Sequence, residues 1–186
     1  TYAAVYATTP KDEEAIVCIL GTGSNISYYD GSTVHNGKHG LGYVLGDEGS
    51  GAYLGKKVLQ YFLYKTFDEE LMLYFEKKYN LDRSAILNKV YKEPTPNSYI
   101  ASFTDFLVEN RGHYMIENII EDGLNDFFFT HLNKLNESWL YPIHFVGSVA
   151  YGFKDVLKQL ADGYEIELGK IVKSPMDGLI EYHSKH

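Results

Sequence analysis

Short apolar runs separated by polar breaks open the chain and predict strands. Residues 14–20 (EAIVCIL) form a β-branched apolar run, which predicts a buried strand. NISYYD follows as a second strand and STVHN as a third. The Asp30-Gly31 pair between them favours a type I′ turn, in which both central residues have positive φ. We therefore expect three antiparallel strands.

The middle of the chain changes to the spacing of amphipathic helices. Between Ser50 and about Thr66 the apolar positions recur at helical intervals, and Ser50 is a suitable N-cap. The same pattern continues in EELMLYFEKKY, RSAILNKVY and YMIENIIEDGLNDFFFTHLNKL, with a break at EPTPN. A mostly helical insertion is expected over about 56–137.

The last part returns to alternating strands and helices. IHFVGS predicts a strand, VAYGFKDVLKQLA a helix, YEIELGKIV a strand and SPMDGLIEYH a helix. The first residues, TYAAVYATT, are typical of the end of a helix that began further upstream. The expected class is α/β, with residues 1–186 forming a single domain.

Composition excludes several classes of partner. The chain has 186 residues, 45% of them apolar, and a formal net charge of -8, which disfavours nucleic acid and anionic membranes. No apolar run approaches the roughly 20 residues that span a bilayer. Cys18 is the one cysteine and lies in an apolar run, which indicates a buried thiol. A cytoplasmic location fits these features.

Glycine is concentrated in one region: ten of the 17 glycines lie between Gly21 and Gly55. Tight hairpin geometry explains Gly31 and Gly37. Close approach of the backbone to a ligand is the better account of seven of the remaining eight. They are Gly21, Gly23, Gly40, Gly42, Gly46, Gly49 and Gly51.

Two strand ends carry small polar residues. ILGTGSN places backbone N–H groups and hydroxyls where a phosphate or a sugar could bind, although it is not a P-loop and its pattern equally allows a structural turn. FVGSVA runs from a strand through Gly-Ser into a helix, an arrangement that suits an anion or a nucleotide but is also used for geometry alone.

The adjacent acids in LGDEGSG allow three interpretations. A metal site lacks further ligands at a recognised spacing, helix capping explains one acid, and a carboxylate can accept hydrogen bonds from sugar hydroxyls. We expect Asp47 to point inward and Glu48 to lie at or near the surface. His35 and His39 flank an Asn-Gly turn and are expected to face solvent or pack against a loop rather than to bind a metal, and no G-x-S-x-G elbow supports nucleophilic hydrolysis.

Three motifs resemble the second half of a sugar kinase in their order and spacing. They are CILGTGSN, GYVLGDEGSGAYLG and FVGSVA. They are most similar to the N-acetylglucosamine kinase family, among the BadF/BadG-type ATPases that share the actin, Hsp70 and hexokinase architecture. The resemblance covers most of the chain. It implies a ribonuclease H-like domain with three antiparallel strands, a helical insertion and a β-α-β-α series.

The resemblance also implies roles for particular residues. Those implied to bind the nucleotide, ATP with Mg²⁺, are Gly21, Thr22, Gly23, Gly147 and Ser148. Those implied to bind the sugar are Ser24, Asn25, Gly40, Leu41, Gly42 and Asp47. Many family members carry Trp where this chain has Leu41, so packing against the sugar is expected to differ.

The resemblance implies ATP-dependent phosphorylation of a sugar hydroxyl, with N-acetylglucosamine as the expected sugar. The family's first phosphate loop, D-x-G-x-T-like, and its catalytic aspartate do not occur in this chain, so we expect them upstream of Thr1 in an N-terminal partner domain. Alone, the chain is expected to be inactive and to expose an apolar face, and a homodimer is possible. The alternatives are an ATPase activator of a dehydratase, whose iron–sulfur cluster Cys18 alone cannot hold, and a non-catalytic sugar-sensing module.

Overall fold

The computed structural model describes residues 1–36 and 40–176 and contains a mixed β-sheet. Its strands are β1 (Glu14–Leu20), β2 (Ser24–Asp30), β3 (Val34–Asn36), β4 (Ile143–Val146) and β5 (Leu168–Val172). The spatial order is β3-β2-β1-β4-β5. β2 pairs antiparallel with both β1 and β3, whereas β1, β4 and β5 run parallel. The predicted antiparallel opening and α/β class are confirmed.

Helices precede the sheet, connect β3 to β4 and connect β4 to β5. In chain order they are α1 (Tyr2–Thr8), α2 (Gly42–Leu45), α3 (Gly51–Leu63), α4 (Glu69–Tyr79), α5 (Arg83–Lys92), α6 (Pro96–Ala101), α7 (Thr104–Glu109), α8 (Tyr114–Thr130), α9 (Ser148–Gly152) and α10 (Lys154–Gly163). Short 3-10 turns follow α8 at Leu132–Lys134 and Asn136–Trp139. None of the helices within the described residues has the length and apolar character to cross a membrane.

Strand β1 is buried on both faces, as its continuous apolar sequence predicts. Ile16, Cys18 and Leu20 face the helical block and join the main core. Val17 faces the other way and packs with Val5 of α1 in a smaller cluster. Because successive strand residues point to opposite faces, this one strand joins both layers to the sheet.

Aromatic packing holds the helical block together. The Phe75 ring is fully buried and lies 4.0 Å from the Phe62 ring, 5.4 Å from Phe106 and 5.8 Å from Phe103, measured between centroids. Such ring pairs stabilise a core beyond the area that they bury. The helices α3, α4, α6 and α7 are thereby packed around one aromatic centre.

Side-chain caps fix where several helices begin. At each of three N-caps, a side-chain oxygen accepts a hydrogen bond from the N–H three residues further on. The pairs are Ser50 with Tyr53 (3.2 Å), Asp68 with Leu71 (3.0 Å) and Asp82 with Ala85 (2.7 Å). The predicted start of α3 at Ser50 is therefore confirmed.

The turn between β2 and β3 differs from the predicted type I′ turn. Of the predicted central pair, only Gly31 has positive φ (88°), and Asp30 remains in the strand, where its N–H donates to the Thr33 carbonyl. A positive φ at the first central position alone is the sign pattern of a type II′ turn. The Asp30 carboxylate accepts hydrogen bonds from the N–H groups of Ser32 and Thr33, and the His35 ring lies 2.6 Å from it. These contacts favour the observed turn.

The β4–β5 connection also differs in detail from its prediction. The single helix predicted there is two helices, because Phe153 leaves helical geometry (φ -116°, ψ 31°) and is buried in the core. Strand β5 begins later than predicted, since the N–H groups of Tyr164 and Ile166 bond back to carbonyls of α10. Most of the predicted C-terminal helix lies outside the described residues, as do Gly37 and His39.

Candidate functional site

The Gly-Thr-Gly loop at the end of β1 is bound to the start of α3. The carbonyls of Gly21 and Thr22 accept hydrogen bonds from the N–H groups of Gly51 (2.7 Å) and Ala52 (3.0 Å), and the Gly21 N–H donates to the Gly23 carbonyl. Among the described residues, nothing accepts from the N–H groups of Thr22 and Gly23. The loop is thus rigidly held while two successive backbone donors stay available to an anion.

Gly147 brings the end of β4 against this loop. Its φ of 132° and ψ of 164° lie in a region that glycine alone populates readily. A Cβ at this position would lie 2.2 Å from the Leu20 carbonyl oxygen and 3.2 Å from the Gly21 nitrogen. Glycine is therefore required here by close backbone approach, and it places Ser148, the first residue of α9, beside the Gly-Thr-Gly loop.

A polar cleft of about 240 Å³ lies where these elements meet. It is lined by Gly21, Thr22, Gly51, Ser98, Ala101, Ser102, Thr104, Ser148 and Val149. The structure therefore brings together three of the residues predicted to bind a nucleotide: Gly21, Thr22 and Ser148.

Sequence reasoning missed the hydroxyl residues that α6 and α7 contribute to the cleft, namely Ser98, Ser102 and Thr104. Their helices reach the cleft because α3 presents glycine to α6. A Cβ at Gly55 would lie 1.9 Å from the Ile100 carbonyl oxygen, and one at Gly51 would lie 3.2 Å from the Ala101 Cβ. The spacing of Gly51 and Gly55, four residues apart, was the available signal, since it places both on one helix face.

On the other side of the Gly-Thr-Gly loop lies Asp47. Its φ is 57°, and its Oδ2 atom would be 3.1 Å from a Cβ at Gly23. Its Oδ1 atom would be 3.9 Å from a Cβ at Gly40, which also lies near the Ser24 carbonyl. No described residue donates a hydrogen bond to this carboxylate. The structure thus brings together Asp47, Gly23, Gly40 and Ser24, while Asn25 is exposed next to them.

The segment after Gly40 forms an exposed apolar turn. Leu41 precedes the four-residue helix α2, and Gly42 has a φ of 75°. The relative exposures of Leu41, Val44 and Leu45 are 69%, 65% and 74%. This apolar surface adjoins Asp47 through Gly46, where a Cβ would lie 3.0 Å from the Leu41 Cβ.

Glu48, predicted to lie at or near the surface, is partly buried. Only 18% of its side chain is exposed, and its Oε2 atom lies 3.0 Å from Nε2 of His131, which follows α8. The two residues are 83 positions apart, so the chain pattern around Glu48 carried no sign of this partner. A buried carboxylate is stabilised by such a partner, which explains why Glu48 points inward.

Not every glycine near the site faces open space. A Cβ at Gly49 would lie 2.9 Å from the Phe127 Cβ, and Gly51 and Gly55 contact α6. The expectation that Gly46 and Gly49 serve ligand approach is therefore wrong, because packing within the protein accounts for both. Gly51 contacts α6 and also lines the cleft. Gly21 is different, since no atom lies within 4 Å of a Cβ built there.

Buried ionisable groups near the site are held in their neutral forms. Burial, with a hydrogen bond to Asp126, raises the pKa of Tyr53 well above its usual value. Burial likewise raises the pKa of the Cys18 thiol. Within residues 1–36 and 40–176, no three His, Cys, Asp or Glu side chains are placed to hold a metal ion.

Two solved bacterial structures share this fold. A protein of Porphyromonas gingivalis, provisionally assigned as an N-acetylglucosamine kinase, is 35% identical and superposes with a TM-score of 0.93 over 99% of this chain. A Chromobacterium violaceum protein with the same provisional assignment is 19% identical, with a TM-score of 0.71 over 95% of the chain. The chain has their fold.

The chain matches part of the length of each of these two proteins. The chain spans 64% of the Porphyromonas protein and 63% of the Chromobacterium protein. No protein-family profile matches the chain, and no curated protein does. The predicted resemblance to N-acetylglucosamine kinases is thus confirmed at the level of the α/β fold. The proteins that share this fold are themselves provisionally assigned as such kinases.

Proposed function

We propose that this chain is the C-terminal, ribonuclease H-like part of an ATP-dependent sugar kinase of the BadF/BadG type, acting on N-acetylglucosamine. The observation that carries the proposal is the position of the Gly-Thr-Gly loop between two polar sites. One side of the loop lines the cleft with Ser148, and the other side faces the Asp47 carboxylate. A kinase needs its nucleotide and acceptor on adjoining surfaces, because phosphoryl transfer depends mainly on positioning.

The cleft supplies the groups that a nucleotide phosphate needs. The free N–H groups of Thr22 and Gly23 and the hydroxyls of Thr22 and Ser148 can donate to phosphate oxygens. Gly21 leaves the backbone of this wall open, and Gly147 allows β4 to approach the end of β1 closely. The cleft volume of about 240 Å³ is below the roughly 300–1,000 Å³ of complete small-molecule sites. We therefore assign these residues to one wall of the nucleotide site.

The acceptor side suits a sugar. An ionised Asp47 accepts hydrogen bonds only, and sugar hydroxyls donate them. Ser24, Asn25 and the exposed backbone of Gly40 and Gly42 add further polar partners. The exposed Leu41 side chain provides an apolar surface of the kind that an acetamido methyl group could contact.

The general base and the first phosphate loop would come from a preceding domain. Mg²⁺, when bound with the nucleotide, neutralises charge on the phosphates. Because Mg²⁺ takes phosphate oxygens and waters with only one or two carboxylates, the described residues need not form a metal cage. With a single wall of each site, the chain alone is expected to show no kinase activity.

Asp47→Asn in the full-length protein tests the acceptor site. Asn tolerates the left-handed backbone at this position but removes the charge. A hydrogen bond to a charged group contributes about 1.5–3 kcal/mol, so the KM for N-acetylglucosamine should rise about 10–100-fold while the KM for ATP is unchanged. ATP consumption is the assay, run against a panel of sugars.

Asp12→Asn is the matched control, because Asp12 also has a positive φ (68°) but is exposed and lies at the opposite end of β1 from the Gly-Thr-Gly loop. An unchanged acceptor KM in Asp47→Asn would contradict the sugar-binding role. Sugar binding without ATP turnover in the unmutated protein would favour a sugar-sensing module instead. Cluster-dependent ATPase activity would favour a dehydratase activator, although Cys18 alone cannot hold an iron–sulfur cluster.

A further inference from the structure

The segment that carries Asp47 is tied to the C-terminal end of α8. Glu48 Oε2 lies 3.0 Å from His131 Nε2, and the exposed fractions of the two side chains are 18% and 24%. The His131 ring in turn rests against the Phe127 ring, with centroids 5.0 Å apart. This hydrogen bond is shielded from solvent and is held in place on the α8 side by packing.

Close contacts on either side of the pair leave the segment little freedom. Gly49 lies against Phe127, where a Cβ would be only 2.9 Å from the Phe127 Cβ. Further along, the Tyr53 hydroxyl donates to Asp126 Oδ2 at 2.6 Å. The chain between these contacts is therefore fixed to one face of α8.

Asp47 itself has no comparable side-chain anchor. No described residue donates to its carboxylate, so its direction is set by the backbone that follows it. That backbone is unusual, because Asp47 and Gly49 both have positive φ (57° and 70°) around Glu48. The Asp47 carbonyl accepts a hydrogen bond from the Ser50 N–H at 3.0 Å. If the Glu48 side chain were released, this one backbone hydrogen bond would be left to hold the Asp47–Glu48 peptide, and the Asp47 carboxylate would be held less firmly beside Gly23.

We propose that Glu48 and His131 form a positioning pair, which aims the Asp47 carboxylate at the acceptor. The proposal rests on the sugar-kinase function proposed above. Neither residue contacts the acceptor in this scheme, and both act through the backbone of Asp47. Helix α8, which lies in the helical insertion, thereby takes part in acceptor binding.

The test measures steady-state kinetics of Glu48→Ala and His131→Ala in the full-length kinase. Either change should raise the KM for the acceptor roughly tenfold, with kcat and the KM for ATP nearly unchanged. Glu48→Gln keeps an oxygen that can accept from Nε2–H and should restore an acceptor KM close to that of the unmutated protein. Each alanine variant removes one partner of the same hydrogen bond, so a single variant that folds is sufficient for the test.

Tyr53→Phe is the matched control, since it removes the other hydrogen bond between this segment and α8. It should lower the melting temperature without changing the acceptor KM. An equal rise in acceptor KM for Tyr53→Phe and Glu48→Ala would indicate general loosening and overturn the proposal. Unchanged acceptor KM in both alanine variants would overturn it as well.

Combination with Asp47→Asn separates this proposal from the proposed function. If Glu48 acts through Asp47, adding Glu48→Ala to Asp47→Asn should raise the acceptor KM little further. Fully additive effects would overturn the positioning role and leave the sugar-binding role of Asp47 intact. If Asp47→Asn alone leaves the acceptor KM unchanged, the function assigned to Asp47 fails, and the positioning pair fails with it.

Discussion

Replacing Gly147 by alanine should destabilise the protein strongly. The backbone at Gly147 lies at φ 132° and ψ 164°, where a residue with a side chain is strained by about 1–3 kcal/mol. The added Cβ would also lie 2.2 Å from the Leu20 carbonyl oxygen. Relieving such an overlap costs about 1–3 kcal/mol more. The free energy of unfolding should therefore fall by about 4 kcal/mol, since neither backbone segment can shift without disrupting the sheet.

Thermal unfolding, followed by circular dichroism, measures this loss. For a domain of this size each kcal/mol corresponds to about 2–4 °C, which predicts a fall of about 8–16 °C. Gly152→Ala is the control, because it lies in the same α9 region and no atom lies within 4 Å of its added Cβ. A Gly147→Ala protein that melts within about 2 °C of this control would refute the reasoning.

Two further predictions concern Gly21 and His144. Gly21→Ala should raise the melting temperature slightly, because the added Cβ meets nothing within 4 Å, φ is not positive and alanine loses less backbone entropy on folding, but it should also raise the KM for ATP. An unchanged KM for ATP would remove Gly21 from the nucleotide wall. Burial, with the nearby charge of Lys170, lowers the pKa of His144 from 6.5 to about 4, so the unfolded chain binds the extra proton as pH falls. The stability from neutral His144 is present above pH 6.5 and is lost toward pH 4, by about 2 kcal/mol between pH 7.5 and 5. The free energy of unfolding measured in urea should depend less on pH for His144→Gln than for the unmutated protein. An identical pH dependence would contradict the role assigned to His144.

Local patterns predicted the elements whose burial is simple. Residues 14–20 are apolar throughout, and β1 occupies that range with both faces covered. Ser50 precedes a helical apolar pattern, and its hydroxyl caps α3. In both cases the residues that determine the structure are neighbours in the sequence, so the local pattern is sufficient to predict it.

Features that depend on distant partners were not predictable in this way. Phe153 interrupts the predicted helix because its ring is buried in the core, and Gly152 beside it is a weak local sign of the break. Glu48 is partly buried beside His131, which is 83 residues away in the sequence. The hydroxyls of Ser98 and Ser102 reach the cleft because α6 packs on α3. Each outcome is decided by tertiary contact between elements.

The glycines show how packing separates structural positions from candidate ligand positions. At Gly55 and Gly147 a side chain would collide with a backbone carbonyl, so the fold itself requires glycine there. At Gly21 the space is open and φ is not positive, so neither collision nor backbone strain requires glycine. Glycine weakens a folded chain through its larger loss of backbone entropy. Its presence at Gly21, on the wall of the cleft beside Thr22, is therefore best explained by a ligand that lies against the backbone.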